Sequence, residues 1–177
     1  MRIVPTQMHS SAEPLEVCRH QFGVASLDAA LGGGLMRGRI HEIYAAESDD
    51  LASAAGFALG MAKGMNDPQG TVLWLRMQRA ARLGGVVQAN GCAELGGAPG
   101  QMLMGVVPDV MALLRAAVDA LRCAALGAVV VEGWGAMREL DLTASRRLTL
   151  AAEKSGVPLL LLRYDAVPVP SAAQTRW

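Results

Sequence analysis

Three segments of the chain are apolar without interruption: Val72-Leu73-Trp74-Leu75, Val129-Val130-Val131 and Leu159-Leu160-Leu161-Leu162. A strand with one wet face alternates apolar and polar residues. An unbroken run needs cover on both faces, which is the condition of strands inside a parallel sheet. With their flanks and two further segments, these runs predict five strands: Arg39–Tyr44, Thr71–Arg76, Gln101–Val107, Ala128–Glu132 and Val157–Arg163.

Helical patterns separate the strands. Asp50–Met65 is apolar nearly all round, as suits a helix packed tightly on a sheet. Asp109–Leu126 follows Pro108, has Asp109 in a capping position and carries Met111, Leu114, Val118 and Leu121 at helical spacing. Asp141–Ser155 begins at another capping aspartate, places Leu148 and Ala152 four apart, and stops at Gly156 before Pro158. Residues 79–100 are glycine-rich and predict one short helix around Val86–Glu94. Strand and helix in alternation predict an α/β domain over residues 21–165, doubly wound or a RecA-like sandwich, with a mainly parallel central sheet and helices on both faces. Residues 1–20, with Pro5 and Pro14 and no periodicity, read as a flexible N-terminal arm, and residues 166–177, with Val167-Pro168-Val169-Pro170, as an extended C-terminal tail.

Composition adds bounds. The 177 residues, 52% hydrophobic, suffice for one core without disulfides or structural metal. Sixteen basic and sixteen acidic residues cancel, so whole-molecule charge does not announce nucleic acid as a partner, and only local patches could contact it. Cys18, Cys92 and Cys123 lie far apart without metal-ligand spacing and read as reduced thiols. The N-terminus has no apolar core behind a basic start, and the apolar runs are broken before bilayer length. The expectation is a soluble, cytoplasmic protein without membrane contact.

The stretch Phe22–Ala54 has the approach to a phosphate-binding loop but lacks the loop's chemistry. A phosphate cradle needs Gly-x-x-x-x-Gly-Lys-Ser/Thr: glycines to close backbone N–H groups on the phosphates, a lysine for their charge and a hydroxyl for magnesium. Here Ala45, Ala46, Glu47, Ser48, Asp49, Asp50, Leu51 and Ala52 follow the first strand, with Asp50 at the second glycine, Leu51 at the lysine and Ala52 at the hydroxyl. Asp49 and Asp50 are predicted to cap the helix, satisfying the N–H groups that an anion would seek. A phosphate oxygen about 5 Å from Asp50 would meet roughly 3 kcal/mol of repulsion at an effective dielectric near 20. No nucleotide cofactor, no metal and no catalytic residue are expected.

The run Ser26-Leu27-Asp28, Ala30-Leu31-Gly32-Gly33-Gly34-Leu35, Gly38-Arg39-Ile40, Glu42-Ile43-Tyr44 and Glu47-Ser48 resembles the approach to the nucleotide site of the RecA recombinase core. Taken with Asp119 to Glu132, Leu140 to Leu148 and Pro170 to Trp177, it resembles the ImuA family over roughly residues 22–177. The resemblance implies a RecA-like accessory factor of damage-induced (SOS) mutagenesis, acting in translesion synthesis with ImuB and an error-prone DNA polymerase. The RecA recombinase, single-stranded DNA and a second copy of the chain are further candidate partners. It also implies that family members continue past Trp177. By alignment Gln78 takes the place of the recombinase's water-activating glutamate, and a neutral amide is no general base. Glu132 takes the place of the acid after the later apolar strand, and reads either as a relic of the metal site or as part of a contact loop.

For contacts, Trp134 between Gly133 and Gly135, with Arg138, Arg146 and Arg147, is the candidate partner or DNA surface, because a ring flanked by glycines in a loop is poorly placed for a core. Arg76, Arg79 and Arg82 form a second basic cluster, and Trp177 is a second aromatic platform for single strands. His9, His20 and His41 have no partner at catalytic spacing, and His41 reads as structural. A non-catalytic interaction module leads. A degenerate ATPase or recombinase-like DNA-binding protein and a SulA-like cell-division inhibitor are the alternatives.

Overall fold

The computed structural model describes residues 19–66 and 70–177. Most of the predicted arm, with His9 and Cys18, lies outside the described residues. The described chain opens with an antiparallel pair, β1 (Arg19–His20) and β2 (Leu35–Met36), flanking α1 (Ala25–Ala30). Asp28 fixes this turn by accepting from the N–H groups of Phe22 and Gly23. At Gly34, φ is 118° and a Cβ would run into the carbonyl of His20, so only glycine fits the close approach.

Then follow β3 (Ile40–Ala45), α2 (Leu51–Met65), β4 (Thr71–Met77), the short helices α3 (Gln78–Leu83) and α4 (Ala89–Glu94), and β5 (Met102–Val107). The last part comprises α5 (Val110–Leu121), β6 (Leu126–Trp134), α6 (Leu142–Ser155), β7 (Leu159–Tyr164) and β8 (Thr175–Arg176). Six strands form one sheet in the order β5-β4-β6-β7-β3-β8, with every neighbouring pair parallel. The three apolar runs occupy β4, β6 and β7, and Val129, Val130, Leu159 and Leu160 are wholly buried. From β3 the chain crosses the sheet in one direction to β4, then returns from β5 through β6 to β7. Right-handed crossovers therefore put α2 on one face and α5 with α6 on the other. The packing agrees: α2 lies on β3, β6 and β7, while α5 and α6 pack on each other.

Local chemistry ends the helices where expected in two cases. Asp109 accepts from the N–H of Ala112 at 2.8 Å and Asp141 from that of Ala144 at 2.7 Å. Gly156 takes the left-handed conformation, φ 76°, after α6.

Four expectations are corrected. Helix α5 stops at Leu121, because Arg122–Ala125 turn the chain into β6. Residues 79–100 hold two short helices, with Gly84-Gly85 breaking them. The tail is not merely extended: Thr175–Arg176 pairs with β3 as an edge strand, and Tyr44 donates its N–H to the carbonyl of Trp177. Asp50 does not cap α2 with its side chain as predicted. Ser48–Asp50 is a 3₁₀ turn, and Asp50, at the N-cap with φ −84° and ψ −11°, makes no capping side-chain bond. A capping side chain meets the N–H groups two or three residues ahead from an extended backbone, and Asp50 is already helical.

Candidate functional site

Parallel strands bring their carboxyl ends to one edge, where open α/β sheets place ligands, above all where the winding direction reverses. Here that edge carries the β3–α2 turn, the start of α3, the β6–α6 loop and the chain after β7. In the β3–α2 turn, Ala45 is buried and Glu47, Asp49, Asp50 and Ala52 are exposed, with Leu51 half-buried. Three carboxylates thus face solvent at the start of α2.

The winding reverses between β4 and β6, and a buried ion pair fills that position. Arg76 and Glu132 are register partners there, 6% and 1% exposed. The guanidinium grips the carboxylate with Nε at 2.7 Å and Nη2 at 2.6 Å, and Trp74 donates its indole N–H at 2.8 Å. Arg76 also donates to the carbonyls of Gly85 and Ala80. Both oxygens of Glu132 are engaged, which leaves it unsuited to hold magnesium. Arg76 is equally unsuited to track a nucleic-acid backbone. Of the second basic cluster, Arg79 and Arg82 alone are exposed, and Gln78 is exposed at the start of α3.

Trp134 does not stand in a loop. It is the last residue of β6, half-buried, paired with Tyr164, edge-on to that ring at 5.7 Å, and its Nε1 donates to Asp165 at 3.2 Å. Strand alternation puts it on the face of Glu132, the side of Arg76 and α3. Arg146 and Arg147 are exposed on α6, across the sheet, and Arg138 is exposed in the loop between. The indole is thus held by Tyr164 and Asp165 on the opposite face of the sheet from α6. Trp177 is not a free platform either, since its ring packs on Phe22 and Phe57 at 5.6 and 5.4 Å.

Two features escape the sequence reading. The edge strand β5 exposes Leu103, Met104 and Val106. The other feature is Arg163, at the end of β7 between Tyr44 and Gly133, 2% exposed. It lines a cleft of about 500 Å³ formed by the β6–α6 loop and the segment after β7. Its guanidinium lies 5.7 Å from the centre of the Tyr44 ring, and its Nε and Nη1 find no acceptor among the described residues. Glu42, the acid on the same face of β3, is already bound by Arg176 at 2.8 Å and Tyr44 at 3.3 Å. Burial, then Glu42, raises the Tyr44 phenol above its ordinary range, and burial with Glu132 does the same for Tyr164.

His41 is wholly buried, with Nε2 3.0 Å from the carbonyl of Met36 and Nδ1 2.8 Å from the hydroxyl of Thr175. A carbonyl only accepts, so the proton sits on Nε2, and burial lowers the imidazole's pKa below 6.5. Among the described residues no group of His, Cys, Asp and Glu is placed to hold a metal ion, and no helix is long and apolar enough to cross a membrane.

No family model matches the chain. It is 34% identical over 139 residues to proteins named ImuA from two strains of Caulobacter vibrioides, a match covering 76% of this chain and 53% of each relative. The chain thus spans about half the length of the curated relatives it matches. Its fold is similar to the crystal structure of SulA from Pseudomonas aeruginosa, with a TM-score of 0.51, 17% identity, and coverage of 71% of this chain and 97% of that one.

Proposed function

The chain belongs to the ImuA family, and we propose on that premise that it is a non-catalytic accessory protein of damage-induced mutagenesis. In this reading it is a RecA-like domain with a degenerate nucleotide loop, serving as an interaction platform beside ImuB and an error-prone polymerase in translesion synthesis. The observation that carries the reading is the ImuA identity across three quarters of the chain. The absence of catalysis is supported by Leu51 in the place of a phosphate-binding lysine and by the engagement of Glu132 with Arg76 and Trp74. Exposed Arg138, Arg146 and Arg147 and the apolar edge of β5 are the surfaces offered to partners.

Pull-downs against ImuB, the polymerase and the recombinase test the platform. At least one should be retained, and retention should weaken in an Arg146→Ala, Arg147→Ala variant or in a β5 variant such as Val106→Lys. Steep loss between low and moderate salt would instead identify nucleic acid as the partner of the arginines. Calorimetry with Mg-ATP should show no heat above dilution. A Kd below about 100 μM, about 5.5 kcal/mol of binding, would overturn the non-catalytic reading. The likeness to SulA is one of architecture. Inhibition of cell division, the competing reading, would be supported by filamentation of cells expressing the chain.

A further inference from the structure

We propose that the cleft between the β6–α6 loop and the segment after β7 binds a carboxylate carried on an aliphatic stem, with Arg163 as its receptor. This goes beyond the accessory role and does not depend on it. The argument starts from the guanidinium. Arg163 is 2% exposed, lines the cleft and has two N–H groups without an acceptor among the described residues. A buried cation in that condition is costly unless an anion meets it. Nε and Nη1 each retain a free hydrogen that a planar carboxylate could accept, and both nitrogens lie beneath the surface, so a ligand must displace lining side chains to reach them.

The surroundings select the ligand. Leu142, the first residue of α6, also lines the cleft, so the positive dipole end of that helix lies beside it. Asp141 and Asp165 stand at the rim, but each already accepts a bond, from Ala144 and from Trp134. Their negative charge offsets that of Arg163 and of Arg138, which also lines the cleft, so charge gives a dianion no advantage over a single carboxylate and the apolar walls decide. Met137, Leu140 and Val169 supply apolar walls for a stem, and about 500 Å³ is room for a few carbons beyond the headgroup. Asp165 takes a positive φ of 48°, unusual for a residue with a side chain, at the turn where the chain leaves β7 to form the cleft's outer wall.

The test uses the full chain and thermal unfolding in butyrate, in phosphate and in chloride at matched ionic strength. Butyrate at tenfold excess over its Kd should raise the midpoint by about 3–6 °C, and phosphate should raise it less. Arg163→Met should abolish the butyrate response. An equal response in wild type and variant, or a butyrate response no larger than that to phosphate or chloride, would overturn the proposal. Should the variant fail to fold, the wild type suffices: butyrate should move the Nε–H resonance of Arg163 and leave that of Arg76, already bound to Glu132, in place. An unmoved Arg163 resonance would overturn the site. Capped Leu-Glu-Leu against capped Leu-Gln-Leu then identifies the source, since tighter binding of the first than of butyrate points to a partner polypeptide and the reverse to a free organic acid.

Discussion

Arg76 and Arg163 end neighbouring regions of one parallel sheet and are almost equally buried, yet their circumstances are opposite. Arg76 meets a register partner, Glu132, on the next strand, and every feature of the α3 face completes the pair: the Trp74 indole, the Gly85 carbonyl and the Ala80 carbonyl. Arg163 has Gly133 and Tyr44 as register partners, and neither can neutralise it. On one face the fold has closed the position where α/β sheets receive ligands. On the other it holds a desolvated cation beside a cleft. Charge inside a sheet is therefore no sign of function until its partners have been counted.

The largest expected effects test that difference by their signs. Glu132→Gln removes the charge that Arg76 was buried against, and should destabilise the protein by about 3–5 kcal/mol. Arg163→Met removes a buried cation without a protein partner and should stabilise the ligand-free protein by about 1–3 kcal/mol. Denaturant midpoints at constant slope measure both. If the two variants shift the midpoint in the same direction, the contrast between the faces fails.

His41 is a third ionisable group inside the sheet, and it is satisfied as a neutral ring. Burial lowers its pKa below the ordinary 6.5, so the unfolded chain takes up its proton first as pH falls. Its contribution is fully present above pH 6.5 and is lost below it, with a slope of at most about 1.4 kcal/mol per pH unit. His41→Asn should flatten the stability profile on the acid side of pH 6.5, compared with wild type. An unchanged profile would show that other groups carry the acid response.

The strands and the parallel sheet were legible because β4, β6 and β7 are apolar without alternation, and cover on both faces is the only way to bury such runs. Glu132 was legible as unusual for the same reason, an acid closing an apolar run. Its partner was not. Arg76 lies far away in sequence, and only the adjacency of β4 and β6 unites them. Arg163 was hidden because an arginine after four leucines reads as a strand's exposed end. Sheet order alone puts it between two other strands. Trp134 was misread for a related reason: Gly133 and Gly135 suggest a loop, but Gly133 is where Met137 packs too closely for a Cβ. β8 is two residues long, too short for any periodicity to announce.

Aspartates at helix starts supply a smaller effect. Asp141 is held by the Ala144 N–H, so Asp141→Ala should cost about 1 kcal/mol. Asp50, helical in conformation and without a capping bond, should change stability by less than about 0.5 kcal/mol on replacement by alanine. A loss of about 1 kcal/mol at Asp50 would restore the capping role that its geometry denies.

The smallest expected change in stability belongs to Asp141→Asn, and it sharpens the contrast between the two arginines most directly. Asparagine caps as well as aspartate, so the bond to Ala144 survives and the unfolding midpoint should move by no more than a few tenths of a kcal/mol. The change removes one of the two negative charges at the rim of the Arg163 cleft and leaves the Arg76 face untouched. If Asp141 only repels an incoming anion, the butyrate response of the variant should exceed that of wild type. If Asp141 instead reaches Arg163 in solution and serves as its counter-charge, the variant should be destabilised by well over the cost of a cap. Arg163 would then be a second Arg76, and the two faces of the sheet would be chemically alike.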